Sequence, residues 1–222
     1  MSWRCSSTSN EGLIANLLRH GLIKNDAVDR AHFCPTMPYE DSPQRIGYDA
    51  TISGISAKDS KHAAEALLGR LGPGKRVLDI GSGSGYLTAV LARLVTPGGT
   101  VVGIEHIQQL CDLSIENLKK DPVHCGMLQD GTIRIIRGDG RLGYPEGGPY
   151  DAIHVGAAAS TMHQTLIDQL KAPGRMFIPV DGGFSQYIWR VDKDEEGNVK
   201  KEKQYGVMYV PLTDARDFRD ED

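Results

Sequence analysis

The stretch Arg76-Val77-Leu78-Asp79-Ile80-Gly81-Ser82-Gly83-Ser84-Gly85-Tyr86 constrains this chain more than any other. An aliphatic run leads into an acid, glycines then alternate with serines, and Leu87-Thr88-Ala89-Val90-Leu91-Ala92 continues in a helical pattern. Together these predict a buried strand, a tight turn and the start of a helix. Glycine suits that turn because a ligand can then approach the main chain closely and φ can become positive, which a side chain opposes. The amides that open the helix face such a ligand.

A second apolar strand, Val101-Val102-Gly103-Ile104, ends in Glu105. An acid about twenty residues beyond the glycines, at the carboxyl end of the neighbouring strand, can accept hydrogen bonds from both hydroxyls of a ribose. The pair predicts an adenosyl cofactor. In the dinucleotide fingerprint the glycines fall as G-x-G-x-x-G, whereas Gly81, Gly83 and Gly85 alternate here and Asp79 stands two residues ahead. A carboxylate at Asp79 would repel a pyrophosphate but suits an ammonium group, directly or through water. S-adenosyl-L-methionine has that ammonium and no phosphate, so the pattern resembles a class I methyltransferase more than a dehydrogenase.

With 222 residues, 40% hydrophobic and 24% charged, one compact domain with a sizeable core is expected over 1–222. Within it, 1–60 should form an N-terminal helix and a substrate-side loop region, and 61–222 the cofactor-binding core. A net charge of −4 provides no field to attract nucleic acid. Cys5, Cys34, Cys111 and Cys125 lack zinc-site spacing, so no metal is expected and the thiols read as free groups in a reducing compartment. No apolar run is long enough to cross a membrane. A cytoplasmic monomer is the resulting expectation. The final Arg219-Asp220-Glu221-Asp222 reads as a solvated acidic tail.

Taken in order, Glu11 to His20 predicts a short amphipathic helix, through Leu13, Ile14, Leu17 and Leu18. From Asn25 to Ser60 the pattern is irregular and broken by Pro35, Pro38 and Pro43. Such a segment is expected to lie over the carboxyl ends of the strands, where open αβ sheets bind ligands. A helix is predicted over 61–71, another over 107–119, and strands over 133–137 and 150–156. Gly138-Asp139-Gly140 closes the first of these strands, where an adenine can be held by a backbone amide and an acid. The small residues Ala157-Ala158-Ala159 after the second leave room for something bulky. A helix through Leu166, Ile167 and Leu170, a strand Met176 to Val180, and a terminal hairpin of 186–191 and 206–211 complete the pattern, with the turn at Glu196-Gly197-Asn198. The expected class is α/β: a three-layer, Rossmann-like class I methyltransferase fold with a mostly parallel twisted sheet and an antiparallel C-terminal hairpin.

His154 lies in an apolar strand and reads as a packed, hydrogen-bonded residue. The other histidines show no ligand or triad spacing, and no serine sits in a G-x-S-x-G elbow, which disfavours hydrolase chemistry.

Three segments go beyond fold class: Asp41-Ser42-Pro43-Gln44-Arg45-Ile46-Gly47-Tyr48-Asp49-Ala50-Thr51-Ile52-Ser53, the glycine-rich stretch, and Tyr150-Asp151-Ala152-Ile153-His154-Val155-Gly156-Ala157-Ala158-Ala159. With Val210-Pro211-Leu212-Thr213-Asp214, the chain closely resembles the protein-L-isoaspartate O-methyltransferase family in its eukaryotic form. The resemblance implies methyl transfer from S-adenosylmethionine to the α-carboxyl of L-isoaspartyl residues in damaged proteins and peptides. The ester then closes unaided to a succinimide. On the family pattern Ser53 stands at the active-site serine, orienting the carboxylate, with Ala50, Thr51 and Ile52 beside it on the substrate side. Ser82 and Glu105 match cofactor contacts, Asp139 and Gly140 the adenine side, and Thr213 a late contact; Asp79, Gly81, Gly83 and Gly85 complete the expected cofactor set.

The chain departs from the family in two places. Several helical residues that the family carries between Asn25-Asp26-Ala27-Val28 and Asp29-Arg30-Ala31-His32-Phe33 are missing. After Ser53 the family has a Pro-His-Met-His run, whereas this chain reads Gly54-Ile55-Ser56-Ala57-Lys58-Asp59-Ser60-Lys61, with His62 out of register. These changes motivate an alternative expectation, a cofactor-binding protein of the same fold with impaired catalysis.

Overall fold

A computed structural model describes residues 9, 28–40, 42–53 and 66–212. The predicted helix over 11–20, the altered run 54–61 with His62, Thr213 and the acidic tail lie outside the described residues, as do Cys5 and the start of the predicted helix over 61–71.

A two-stranded antiparallel hairpin, β1 (Gln44–Gly47) and β2 (Ala50–Ile52), precedes the main sheet. That sheet is built from β3 (Arg76–Ile80), β4 (Thr100–Glu105), β5 (Ile133–Arg137), β6 (Tyr150–Val155), β7 (Leu170–Asp181), β8 (Gln186–Lys193) and β9 (Val199–Val207). Its strand order is β5-β4-β3-β6-β7-β8-β9. Pairing is parallel from β5 through β7 and antiparallel from β7 through β9. After β3 comes α1 (Tyr86–Val95), after β4 come α2 (Gln108–Lys119) and α3 (Pro122–Gln129), and after β6 comes α4 (Gln164–Asp168).

Side chains of successive strand residues point to opposite faces, so each central strand feeds two cores. Val77, Val101, Ile133 and Ala152 pack with Ala89, Leu91 and Val95 of α1 and with Leu110 and Leu118 of α2. Leu78, Ile80, Val102, Ile104, Ile153 and Val155 pack on the other side with Leu166 and Ile167 of α4. All of β6 is buried, as expected for a parallel strand covered on both faces. This is the three-layer Rossmann-like arrangement with an antiparallel C-terminal hairpin.

Four details differ from the pattern reading. Leu170 is not helical; α4 stops at Asp168 and β7 begins at Leu170. The second hairpin strand is Val199–Val207 rather than 206–211. The turn fixes it there: the Asp194 carboxylate accepts from the Asn198 amide at 2.7 Å and from its side chain at 3.0 Å, so pairing starts at once with Lys193 opposite Val199. β9 is a charged sheet edge with largely exposed residues, which hides it from an apolar alternation test. Helix α3 was unforeseen, although Asp121 caps it by accepting from Val123 and His124 ahead of Pro122, a standard start signal. The irregular 25–60 stretch contains the β1–β2 hairpin and a 3₁₀ turn at Arg30–His32.

At the amino end of β6, Asp151 is 3% exposed. Lys75 Nζ approaches it at 3.0 Å, Lys171 Nζ at 3.4 Å, and the Arg76 amide donates at 3.0 Å. Burial pushes its carboxyl up, but the Arg76 amide and the two ammonium groups outweigh this and hold it below the usual carboxylate range. A depressed folded value contributes stability above the unfolded pKa of about 3.9 and loses it as pH falls through the folded value. Asp151→Asn is therefore expected to cost about 1.5–3 kcal/mol at neutral pH. Urea titrations at a series of pH values check this, and the gap to wild type should close below about pH 4.

Candidate active site

Strand β3 delivers the chain to the glycine loop, and the pairing of Ile80 with Ile104 sets that loop beside the end of β4. Gly81 and Ser82 both donate to the Ile104 carbonyl, at 2.8 and 3.0 Å. The turn runs through φ values of 78°, 51° and 83° at Gly81, Gly83 and Gly85, which explains glycine at alternate positions. Gly85 then caps α1 without a side-chain hydrogen bond. A Cβ at Gly85 would collide with Ser114 Oγ of α2.

Glu105, 5% exposed, reaches back to this turn. Its Oε2 accepts from the Gly83 amide at 3.1 Å, and its Oε1 accepts from the amides of His106 and Ile107 at 2.8 and 3.2 Å. The carboxylate thus ties the loop to the start of α2. Beneath it, Cys111 donates to the Glu105 carbonyl at 3.5 Å. Burial and the Glu105 charge push this thiol up to about 11, so it stays protonated.

A cavity of about 250 Å³ opens where these elements meet. One wall is Gly81, Gly83 and Glu105, continued by His106, Ile107 and Leu110. Facing it are Tyr48, Asp49, Ala50 and Thr51 of the β1–β2 hairpin, with Gly156 and Ala157 after β6 and Val210 to Leu212 closing the ring. That last segment is held by Ala158 donating to the Val210 carbonyl and Leu212 donating to the Ala158 carbonyl, at 2.8 and 2.7 Å. The hairpin therefore lies over the carboxyl ends of the strands, as expected for the 25–60 region.

The expected site residues divide. Gly81, Gly83, Glu105, Ala50 and Thr51 line the cavity. Ile52 turns into the core at 6% exposure. Ser53 is half-buried outside the lining, with its carbonyl accepting from Arg30 at 2.9 Å. The Ser82 hydroxyl is buried without a partner. Asp79 is 1% exposed, and its oxygens engage Thr88 Oγ1 at 2.6 Å and His154 Nδ1 at 2.8 Å. His154 is buried and stacks on Phe177, the packed role expected for it. Asp139 and Gly140 follow β5 outside the lining. Arg141 grips the Asp139 carboxylate through Nη2 at 2.7 Å and Nε at 2.9 Å, holding it below the usual carboxylate range. Gly140 is packed against Ile80 and Leu212.

Some residues of the site were not singled out from the sequence. Asn117 of α2, 2% exposed, donates to the Ser84 carbonyl at 3.1 Å and steadies the loop from behind. Lys120 Nζ donates to Asn117 at 2.7 Å and to the His32 carbonyl at 2.8 Å, linking the loop's support to the N-terminal segment. A polar residue on the buried side of a predicted helix was the available signal for Asn117.

The chain matches the sequence profile of the protein-L-isoaspartate(D-aspartate) O-methyltransferase family over residues 8–217. It belongs to that family. A protein-L-isoaspartate O-methyltransferase of Caenorhabditis elegans is 45% identical over 96% of this chain and 96% of its own length. One from Triticum aestivum is 44% identical over 94% and 93%. Among solved structures, a protein-L-isoaspartate O-methyltransferase from Plasmodium falciparum, crystallised with S-adenosyl-L-homocysteine, aligns with a TM-score of 0.82 at 30% identity, covering 93% of this chain and 99% of that one. The chain is an enzyme of the methyltransferase class.

Ala at Gly85 would need both a positive φ and the space held by Ser114 Oγ. Gly85→Ala should destabilise the protein by about 1–3 kcal/mol and displace the loop. Thermal unfolding measures the first effect; calorimetric titration with S-adenosyl-L-homocysteine measures the second, as weaker binding.

Proposed function

We propose that the chain methylates the α-carboxyl of L-isoaspartyl residues in damaged proteins and peptides, with S-adenosyl-L-methionine as methyl donor. The observation that carries this reading is the single cavity shared by the glycine loop, the Glu105 carboxylate and the Ala50-Thr51 strand. Its composition fits the donor. Ile107 and Leu110 offer apolar surface for an adenine, and the carboxylates of Glu105 and Asp49 give the lining a negative character that suits a sulfonium and an ammonium. The partnerless Ser82 hydroxyl has hydrogen-bonding capacity left over beside the loop. When bound, the cofactor supplies an electrophilic methyl group.

We assign the cofactor site to Gly81, Gly83 and Gly85 as the close-approach turn, Glu105 as acceptor for the ribose hydroxyls, and Ser82, Asp139, Gly140 and Thr213 as further contacts. Asp79 acts from below, as the buried acceptor that fixes Thr88 and His154 under the turn. Ala50, Thr51, Ile52 and Ser53 form the acceptor side, with Ser53 orienting the substrate carboxylate. That carboxylate is already deprotonated at neutral pH, so the reaction asks no side chain to remove a proton. The protein's task is to hold donor and acceptor in line and to exclude water while opposite charges are lost. The methyl ester then closes to a succinimide without further help.

The same reading makes the chain a cytoplasmic monomer acting on proteins and peptides, with neither nucleic acid nor membrane as partner. Buried Cys34 and Cys111 act as packed thiols, consistent with a reducing compartment. Among the described residues no helix is long and apolar enough to cross a membrane.

Glu105→Ala should weaken S-adenosyl-L-homocysteine binding about ten- to a hundredfold, the equivalent of 1.5–3 kcal/mol of hydrogen bonding to a charged group. Unchanged calorimetric affinity would reject the ribose assignment. Labelled methyl transfer to an isoaspartyl peptide, absent for its aspartyl twin, tests the reaction itself. Equal labelling of the two peptides would overturn it.

A further inference from the structure

Arg30 is fully buried, an expensive place for a guanidinium, and among the described residues no carboxylate answers it. Instead it collects main-chain carbonyls. Nη1 donates to Pro38 and Glu40, both at 2.9 Å, and Nη2 donates to Ser42 at 3.3 Å and Ser53 at 2.9 Å. These four acceptors come from the loop before β1 and from the residue just after β2, so one planar group closes the base of the hairpin. The tip of the same hairpin, Tyr48 and Asp49, forms cavity wall in a positive-φ conformation, 53° and 57°. A two-residue hairpin turn requires positive φ at both positions, so the tip keeps this shape only while the hairpin stays paired. Arg30 closes the opposite end of that hairpin.

The anchor itself does not float. The Asp29 carboxylate accepts from the Ala31 amide at 3.0 Å, fixing the turn that carries Arg30, and the His32 carbonyl is held at 2.8 Å by Lys120, the residue that caps the end of α2. The link runs on through Asn117 to the Ser84 carbonyl in the glycine loop. The acceptor-side hairpin and the donor-side turn are thus referenced to one another through Arg30's own short turn. We infer that Arg30 is a positioning residue for the methyl acceptor: its guanidinium sets where the 42–53 segment, Ser53 included, stands over the cofactor cavity. This rests on the carboxyl-methylation reading given above.

The test compares wild type with Arg30→Met and Arg30→Lys in the full chain. Arg30→Met should lower kcat/KM for an isoaspartyl peptide at least tenfold, while S-adenosyl-L-homocysteine affinity changes less than threefold. Arg30→Lys, keeping the charge and up to three donors, should recover part of the loss. Amide hydrogen exchange in Arg30→Met should rise across 42–53 and stay at wild-type levels in β3, β4 and β6. An unchanged kcat/KM, a loss of cofactor-product affinity equal to the loss of kcat/KM, or unaltered exchange at 42–53 would each overturn the assignment. If wild type leaves isoaspartyl peptides unmethylated, the reaction proposed above falls, and the exchange measurement alone decides whether Arg30 holds the hairpin.

Discussion

Strand β3 runs parallel to β4 in a register that ends with Ile80 opposite Ile104, and the residues that follow bind each other across that end. Gly81 and Ser82 hang from the Ile104 carbonyl while Glu105 answers by accepting from Gly83. A parallel ladder fixes both ends of its strands at once, so this pairing alone places a sharp turn and a carboxylate within hydrogen-bonding distance. The cavity forms around that pair. Glu105 organises three amides of its own protein, and in the proposed site the remaining capacity of its oxygens would go to a ligand. Both demands favour an acid over an amide, because a carboxylate accepts from several donors and donates to none.

The nucleotide half of the fold was legible because its signals are local. An apolar run, a glycine turn and a strand-final acid stand in one stretch of chain, and burial on both sheet faces makes β3, β4 and β6 nearly continuous apolar segments. The acceptor half was far less legible. Its hairpin turns at Tyr48-Asp49 with positive φ at both residues, where a sequence reader looks for Asn-Gly or Asp-Gly. Arg30 looks like any surface cation until the carbonyls it gathers, up to 23 residues away, are placed around it. Asp79 shows the converse: its position pointed toward a ligand, but its oxygens are used within the protein by Thr88 and His154. Spacing along a chain tells which strand end a residue occupies; it does not tell which neighbour reaches it first.

The two halves are joined differently. The donor side is part of the sheet and inherits its rigidity. The acceptor side is a small hairpin outside the sheet, attached by side chains reaching for main-chain oxygens and by a few core residues such as Ile46, Ile52 and Phe33. This division suits an enzyme with one invariant cofactor and acceptors that vary in every residue but one. The sheet-borne wall of the cavity is built on ladder hydrogen bonds, and the hairpin wall on side-chain contacts.

At the far border of the sheet, no strand among the described residues pairs with the outer edge of β9, and such an edge can be matched by an extended chain that drifts alongside. An enzyme that acts on damaged proteins and peptides has reason to guard such an edge. Lys200, Lys201, Glu202 and Lys203 fill that border with charge, and few of its residues are shielded from solvent. A stray segment pairing there would have to strip water from several ions. The protein can therefore work among sticky clients without becoming a template for their clumping.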